Sequence, residues 1–134
     1  MAEKLFKLEI ISPEKIFYSQ DVFMVEYTTT EGEVGVYANH IPMTQIIAPG
    51  VLTITEDENT RRTAALHSGF VEITQEKVTI LAESVEWPEE IDVRRAEEAR
   101  IRAKRRIESG GSIDIQRAEL ALKRALLREN VAKM

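Results

Sequence analysis

The sequence predicts an α+β chain, an N-terminal antiparallel β-sandwich or barrel followed by a C-terminal antiparallel two-helix hairpin. Three observations predict it. Up to about residue 85 apolar residues recur at every second position, the period of a half-buried strand. After Trp87-Pro88 the composition turns to Ala, Arg, Glu and Leu, all good helix formers. Within that second stretch a Gly110-Gly111 pair separates two segments that each begin at an aspartate. A chain of 134 residues with 43% hydrophobic content supports one small core plus a helical appendage, not two full domains. The expected division is 1–86 sandwich, 87–91 linker and 92–134 hairpin.

The N-terminal Met1-Ala2-Glu3-Lys4-Leu5-Phe6-Lys7 carries an acid and alternates polar with apolar, so it is expected to form a first strand rather than a secretory signal. Alternation then runs through Phe6-Leu8-Ile10, Phe23-Val25-Tyr27, Val34-Val36, Leu52-Ile54, Val71-Ile73 and Val78-Ile80. Turn signals lie between these runs: Ser12-Pro13-Glu14, Glu31-Gly32-Glu33, Pro49-Gly50, Asp57-Glu58-Asn59, Ser68-Gly69 and Gln75-Glu76-Lys77. Short strands with no helical segments between them indicate an antiparallel sandwich or barrel in place of a βαβ fold. Trp87 beside Pro88 anchors the linker.

The first helix is expected from about Asp92 to Glu108 and the second from about Asp114 to near Lys133, each aspartate placed as an N-cap. Ile91-Asp92-Val93-Arg94-Arg95-Ala96-Glu97 and Ile113-Asp114-Ile115-Gln116-Arg117-Ala118-Glu119 share Ile-Asp-x-x-Arg-Ala-Glu. Similar capping explains this likeness without a true repeat, with Ile91 and Ile113 placed to staple against Ala96 and Ala118. Ala96, Ala99 and Ala103 recur on one face of the first helix, and Ala118, Ala121, Leu122 and Ala125 on the second. Such a narrow stripe buries little surface, so the hairpin is expected to open or detach readily.

Several function classes fall away. No cysteine is present, which removes disulfides, thiolate metal sites and cysteine nucleophiles. His40 and His67 are too few for a metal cluster; His40 reads as a hydrogen-bonded turn residue, and His67 beside Ser68 does not complete a triad. No nucleophile, base and orienting group assemble, so no catalytic residue is assigned. The net charge of −5 divides unevenly: residues 1–88 hold 6 basic and 14 acidic groups, residues 89–134 hold 12 and 9. Acids interleaved with the bases argue against nucleic acid, and no apolar run approaches the roughly 18 residues that span a bilayer.

Three stretches carry a family resemblance over the whole chain. Glu31-Gly32-Glu33-Val34-Gly35-Val36-Tyr37-Ala38-Asn39-His40-Ile41-Pro42, Ser68-Gly69-Phe70-Val71-Glu72-Ile73 with Val78-Thr79-Ile80-Leu81-Ala82, and Arg117-Ala118-Glu119-Leu120-Ala121-Leu122-Lys123-Arg124-Ala125 resemble, in order, the epsilon subunits of bacterial and chloroplast F-type (rotary) ATP synthases. Asn39 departs from that pattern where many members have glycine, but Asn tolerates the left-handed backbone such a turn needs. The resemblance implies a ten-stranded sandwich that grips the gamma subunit and touches the c-ring. It also implies a non-catalytic rotor subunit of a proton-translocating enzyme, peripheral on the cytoplasmic face of the cell membrane, whose hairpin can extend and block hydrolysis.

The same resemblance implies an ATP site. Ile91-Asp92-Val93-Arg94-Arg95-Ala96 matches an Ile/Leu-Asp-x-x-Arg-Ala motif of ATP-binding members, and the implied set is Glu86, Ile91, Asp92, Arg95, Ala96, Arg124 and Arg128. Arg124 and Arg128 share a helix face, and guanidinium forks suit phosphate oxygens. Arg100, on the face of Ala96, is a lesser candidate. A solvated, ion-paired face involving Glu119 and Glu129 explains the same arginines without a ligand. No Gly-x4-Gly-Lys-Ser/Thr loop is present, so ATP would be a regulatory ligand, with no cofactor required and the place of magnesium open. Extended, the basic helices, with Arg102, Lys104, Arg105, Arg106 and Lys123, would face acidic loops of the catalytic beta subunits, beside alpha. The competing reading is a free-standing ATP-sensing module, which predicts a sandwich without an exposed apolar patch.

Overall fold

A computed structural model describes residues 4–110 and 114–134, which form two compact units, Met1–Glu86 and Trp87–Met134. The expectations for Met1, Ala2 and Glu3, for Gly111 and for an Ile113 staple lie outside the described residues.

The first unit holds ten strands: β1 (Phe6–Ile11), β2 (Ile16–Val22), β3 (Met24–Thr29), β4 (Gly32–Val36), β5 (Met43–Ile47), β6 (Gly50–Asp57), β7 (Thr60–Leu66), β8 (Gly69–Ile73), β9 (Lys77–Ala82) and β10 (Val85–Glu86). They are hydrogen-bonded in the order β10-β7-β6-β3-β5-β8-β9-β1-β2, with β4 on the other edge of β3. The second edge of β3 is divided, since Met24, Val25 and Glu26 pair with β6 and Thr29 pairs with β5. A strand shared in this way turns one continuous sheet into two facing layers. The core is the inward set of alternating residues, Leu8, Ile10, Val25, Tyr27, Val36, Leu52, Ile54, Val71, Ile73, Val78 and Ile80, all buried.

One pair is not antiparallel. β1 lies parallel to β9, from Lys7 opposite Lys77 to Ile11 opposite Leu81. The chain between them is most of the domain, so this closure has no local signal.

Four strands escape the alternation rule for identifiable reasons. In β2, Phe17 and Tyr18 are both buried because the register slips there, Ile10 facing Tyr18 while Ile11 faces Ile16; a bulge breaks the two-residue period. Ala64, Ala65 and Leu66 end β7 buried in succession, with no solvent face to alternate against. β5 is largely exposed, and β10 has two residues.

The turn chemistry follows the sequence. Ser12 closes the β1–β2 turn, its N–H and hydroxyl both donating to Lys15 O at 2.9 and 3.1 Å. Thr29 Oγ1 donates to Gly32 O at 2.8 Å across the β3–β4 turn. Asn39 adopts φ 63°, the left-handed conformation for which it is suited. His40 Nδ1 lies 2.8 Å from Ile41 O, a turn residue bonded to backbone. Gly69 is obligatory, with φ +142° and Leu81 O only 1.9 Å from where a Cβ would stand.

The second unit opens with a 3-10 turn over Pro88–Glu90, inside the segment expected as a plain linker. Proline suits the first position because no donor is lost there. Glu90 Oε1 reaches back to accept from the Trp87 N–H at 2.9 Å. Helices α1 (Val93–Ser109) and α2 (Ile115–Ala132) follow and pack on each other. Asp92 and Asp114 cap them, each Oδ1 accepting from the N–H three residues on, Arg95 at 3.1 Å and Arg117 at 3.3 Å. α1 ends at Gly110 in the left-handed conformation, φ 57°. Ala96, Ala103, Ala118 and Ala125 are buried, whereas Ala99, Ala121 and Leu122 are only partly so, making the covered stripe narrower than the sequence pattern.

Candidate functional site: a basic hairpin and an apolar sheet face

In the hairpin, Ile91 is buried directly after the 3-10 turn and Ala96 is on the buried face of α1, so both present little surface to a ligand as folded. Asp92 is committed on one oxygen to its cap. Arg95 is exposed. Arg124 and Arg128 stand one turn apart on α2, both half-buried, and Arg124 Nε is a buried donor with no hydrogen-bond partner. Leaving such a donor unpaired is unfavourable by about 1–3 kcal/mol, which an incoming acceptor would relieve.

Arg100 is held elsewhere. Its Nε donates to Glu129 Oε1 at 2.9 Å across the hairpin. This bond sets the level of one helix against the other: running antiparallel at 1.5 Å per residue, Arg95 lies about 9 Å along the axis from Arg128 and about 15 Å from Arg124. Arg95 and Arg128 are thus the closer pair for one nucleotide-sized ligand, with Arg124 a further turn along.

Glu86 belongs to the first unit. It faces Ala65 in the β10–β7 pair, and its Oε1 lies 3.3 Å from Nε2 of His67, which is 1% exposed. The spacing of nineteen residues hides this contact from a reading of the sequence, as a longer one hides Glu129 behind Arg100. Alternation gives no signal for His67 either, since it follows Ala64, Ala65 and Leu66, which are buried in succession.

The sandwich carries a second feature, on its outer surface. Ile46 of β5 stands opposite Phe70 of β8, Phe70 opposite Leu81 of β9, Leu81 opposite Ile11 of β1, and Ile11 opposite Ile16 of β2. Directly opposed residues point to the same face, so five strands present one apolar row. Ile16, Ile46, Phe70 and Leu81 are all exposed, Phe70 at 54%. Their sequence neighbours Ile10, Val71 and Ile80 fill the core, so the row is not a misplaced interior but an uncovered second face. No helix among the described residues is long and apolar enough to cross a membrane.

Comparison with known proteins fits this two-part architecture. Residues 5–88 match the family model for the beta-sandwich domain of the ATP synthase delta/epsilon chain, and residues 89–133 match the model for its long alpha-helix domain. An ATP synthase epsilon chain of Clostridium novyi is 41% identical over 125 residues, covering 93% of this chain and 95% of the relative. One from Caldanaerobacter subterraneus is 42% identical over 132 residues, covering 97% and 95%. A solved chain from the Euglena gracilis mitochondrial ATP synthase shares the fold with TM-score 0.83 at 23% identity, covering 94% of this chain and 80% of that one. With both family domains matched in order across the sandwich and the hairpin, the chain belongs to the ATP synthase delta/epsilon family, as a non-catalytic chain of the epsilon type.

Proposed function

We propose that the chain works as a central-stalk subunit, docking the gamma subunit through the Ile46-Phe70-Leu81-Ile11-Ile16 row and restraining ATP hydrolysis through its helical hairpin. The observation that carries the proposal is the apolar row, since a free-standing nucleotide sensor has no use for five strands of uncovered hydrophobic side chains. Burial of that row on a partner is favourable in proportion to the area covered, at about 25 cal/mol per Å² before the cost of association. The exposed loop around Ile41, 77% accessible, is the second contact surface and is assigned to the c-ring. Docked in this way the chain would sit peripherally on the cytoplasmic face of the membrane, in an enzyme that couples hydrogen ion transport to ATP synthesis.

The hairpin supplies the regulation. Its interface, alanine apart from Val131, buries little, so the balance between packed and extended forms is shallow. Extended, the basic helices complement acidic surfaces of the catalytic beta and neighbouring alpha subunits, an attraction that salt weakens. ATP is the proposed ligand of the packed form, its phosphates taken by Arg95, Arg128 and Arg124 and its base lying against the Ile91 and Ala96 segment with Asp92 as acceptor. Differential affinity for the packed form would then release hydrolysis when ATP is abundant. Glu86 is engaged by His67 within the sandwich, so the hairpin residues carry this proposal without it.

The test pairs two measurements. Phe70→Asp is expected to abolish co-purification with gamma while leaving the isolated chain folded; retained binding overturns the docking surface. Calorimetric titration with ATP, with and without magnesium, is expected to show saturable binding that Arg95→Ala with Arg124→Ala removes. No binding at millimolar ATP would leave the stalk role and return the arginines to partner contacts.

A further inference from the structure

We infer that the Arg100–Glu129 ion pair is a latch of the helical hairpin, a contact whose loss changes how often α1 and α2 part. It rests on the proposed regulatory reading only for its consequence in the assembled enzyme; the latch itself is a property of the chain. The apolar part of the interface is weak by construction. Its covered stripe is mostly alanine, at 96, 103, 118 and 125, each offering one methyl group of apolar area, with Val131 the one larger fully buried side chain on the two helices. Against this, Arg100 Nε to Glu129 Oε1 at 2.9 Å is a charge-assisted hydrogen bond whose side chains are only 26% and 19% exposed. Screening by water is therefore partial, and the bond is stronger than a surface pair.

Position amplifies the effect. Glu129 lies in the last turn of α2, at the end of the hairpin remote from the connection after Gly110. The connected ends are held by the chain itself, so separation begins at the far ends, where this pair and the buried Val131 beside it form the clasp. The packed state also carries the unpartnered Arg124 Nε, which water satisfies once the helices part. A small driving force for opening is thus opposed by a thin apolar stripe and this bond, and loss of the bond shifts the equilibrium measurably.

The experiment is hydrogen exchange on the full chain, comparing wild type with Arg100→Gln, Glu129→Gln and the double variant. Each single substitution is expected to speed exchange in α1 and α2 about tenfold, with β-strand amides unchanged. The double variant should exchange no faster than the faster single, because the two residues act as one unit. Unchanged hairpin exchange in the singles, multiplied effects in the double, or parallel loss of protection in the sandwich would each overturn the latch. In the assembled enzyme the same variants should alter restraint of hydrolysis without altering co-purification with gamma. Faster hairpin opening with hydrolysis unaffected would locate the failure in the regulatory reading and leave the latch standing.

Discussion

Tyr27 stands in β3 with 2% of its surface exposed and donates its hydroxyl to Gln45 Oε1. Burial pushes its phenol up to about 12. The folded chain therefore keeps this proton after the unfolded chain has lost it: the contribution is complete below pH 10, falls as pH rises from 10 towards 12, and is gone above that. Burial disfavours the phenolate, so stability declines across that window as the unfolded chain ionises first. Urea midpoints measured from pH 9 to 12 should fall, and Tyr27→Phe should flatten part of that fall. Acid acts on the opposite side. Glu9, hydrogen-bonded to Lys77, and Asp57, which accepts from the Asn59 N–H, are both held below the usual carboxylate range. Their contributions are present above the ordinary carboxylate pKa and lost as pH falls through the lowered one. Gly69→Ala is a damaging change for its size: a methyl meets the Leu81 carbonyl in a backbone conformation that alanine avoids. A loss of more than about 2 kcal/mol in denaturant unfolding is expected.

Among the elements, the two helices owe their starts to a short local device. Asp92→Ala and Asp114→Ala should each weaken their helix by about 1 kcal/mol, read as faster amide exchange in the hairpin with the sandwich unaffected. The caps were legible in the sequence because the carboxylate and the N–H it accepts lie three residues apart. The strands were legible only where one face is buried and the other wet. Ile16–Val22 hides behind a bulge and Thr60–Leu66 behind a run buried on both sides, so neither shows the two-residue period. Of the site, the arginine spacing on α2 was readable, whereas the engagement of Arg100 by Glu129 and of Glu86 by His67 was not. Both contacts join residues that no local rule links.

For the whole molecule, the division at Glu86 and Trp87 separates two kinds of stability. The sandwich is cross-linked by long-range strand pairs, whereas the hairpin is held by a thin, largely alanine stripe with Val131 and by the Arg100–Glu129 bond across it. Exchange of α1 and α2 amides should accordingly proceed through openings of lower free energy than exchange of β6, β7 or β9; equal protection of both units would contradict this. The sequence by itself determined the class of each half, the turns and the caps, because each depends on residues within a few positions of one another, whereas the left-handed turn at Asn39 was suggested by the family resemblance. Only the tertiary structure decided that β1 closes parallel onto β9 and that Ile46, Phe70, Leu81, Ile11 and Ile16 form one uncovered row. Side chains far apart in the chain meet only through strand register, and register is a property of the assembled sheet, not of any one segment.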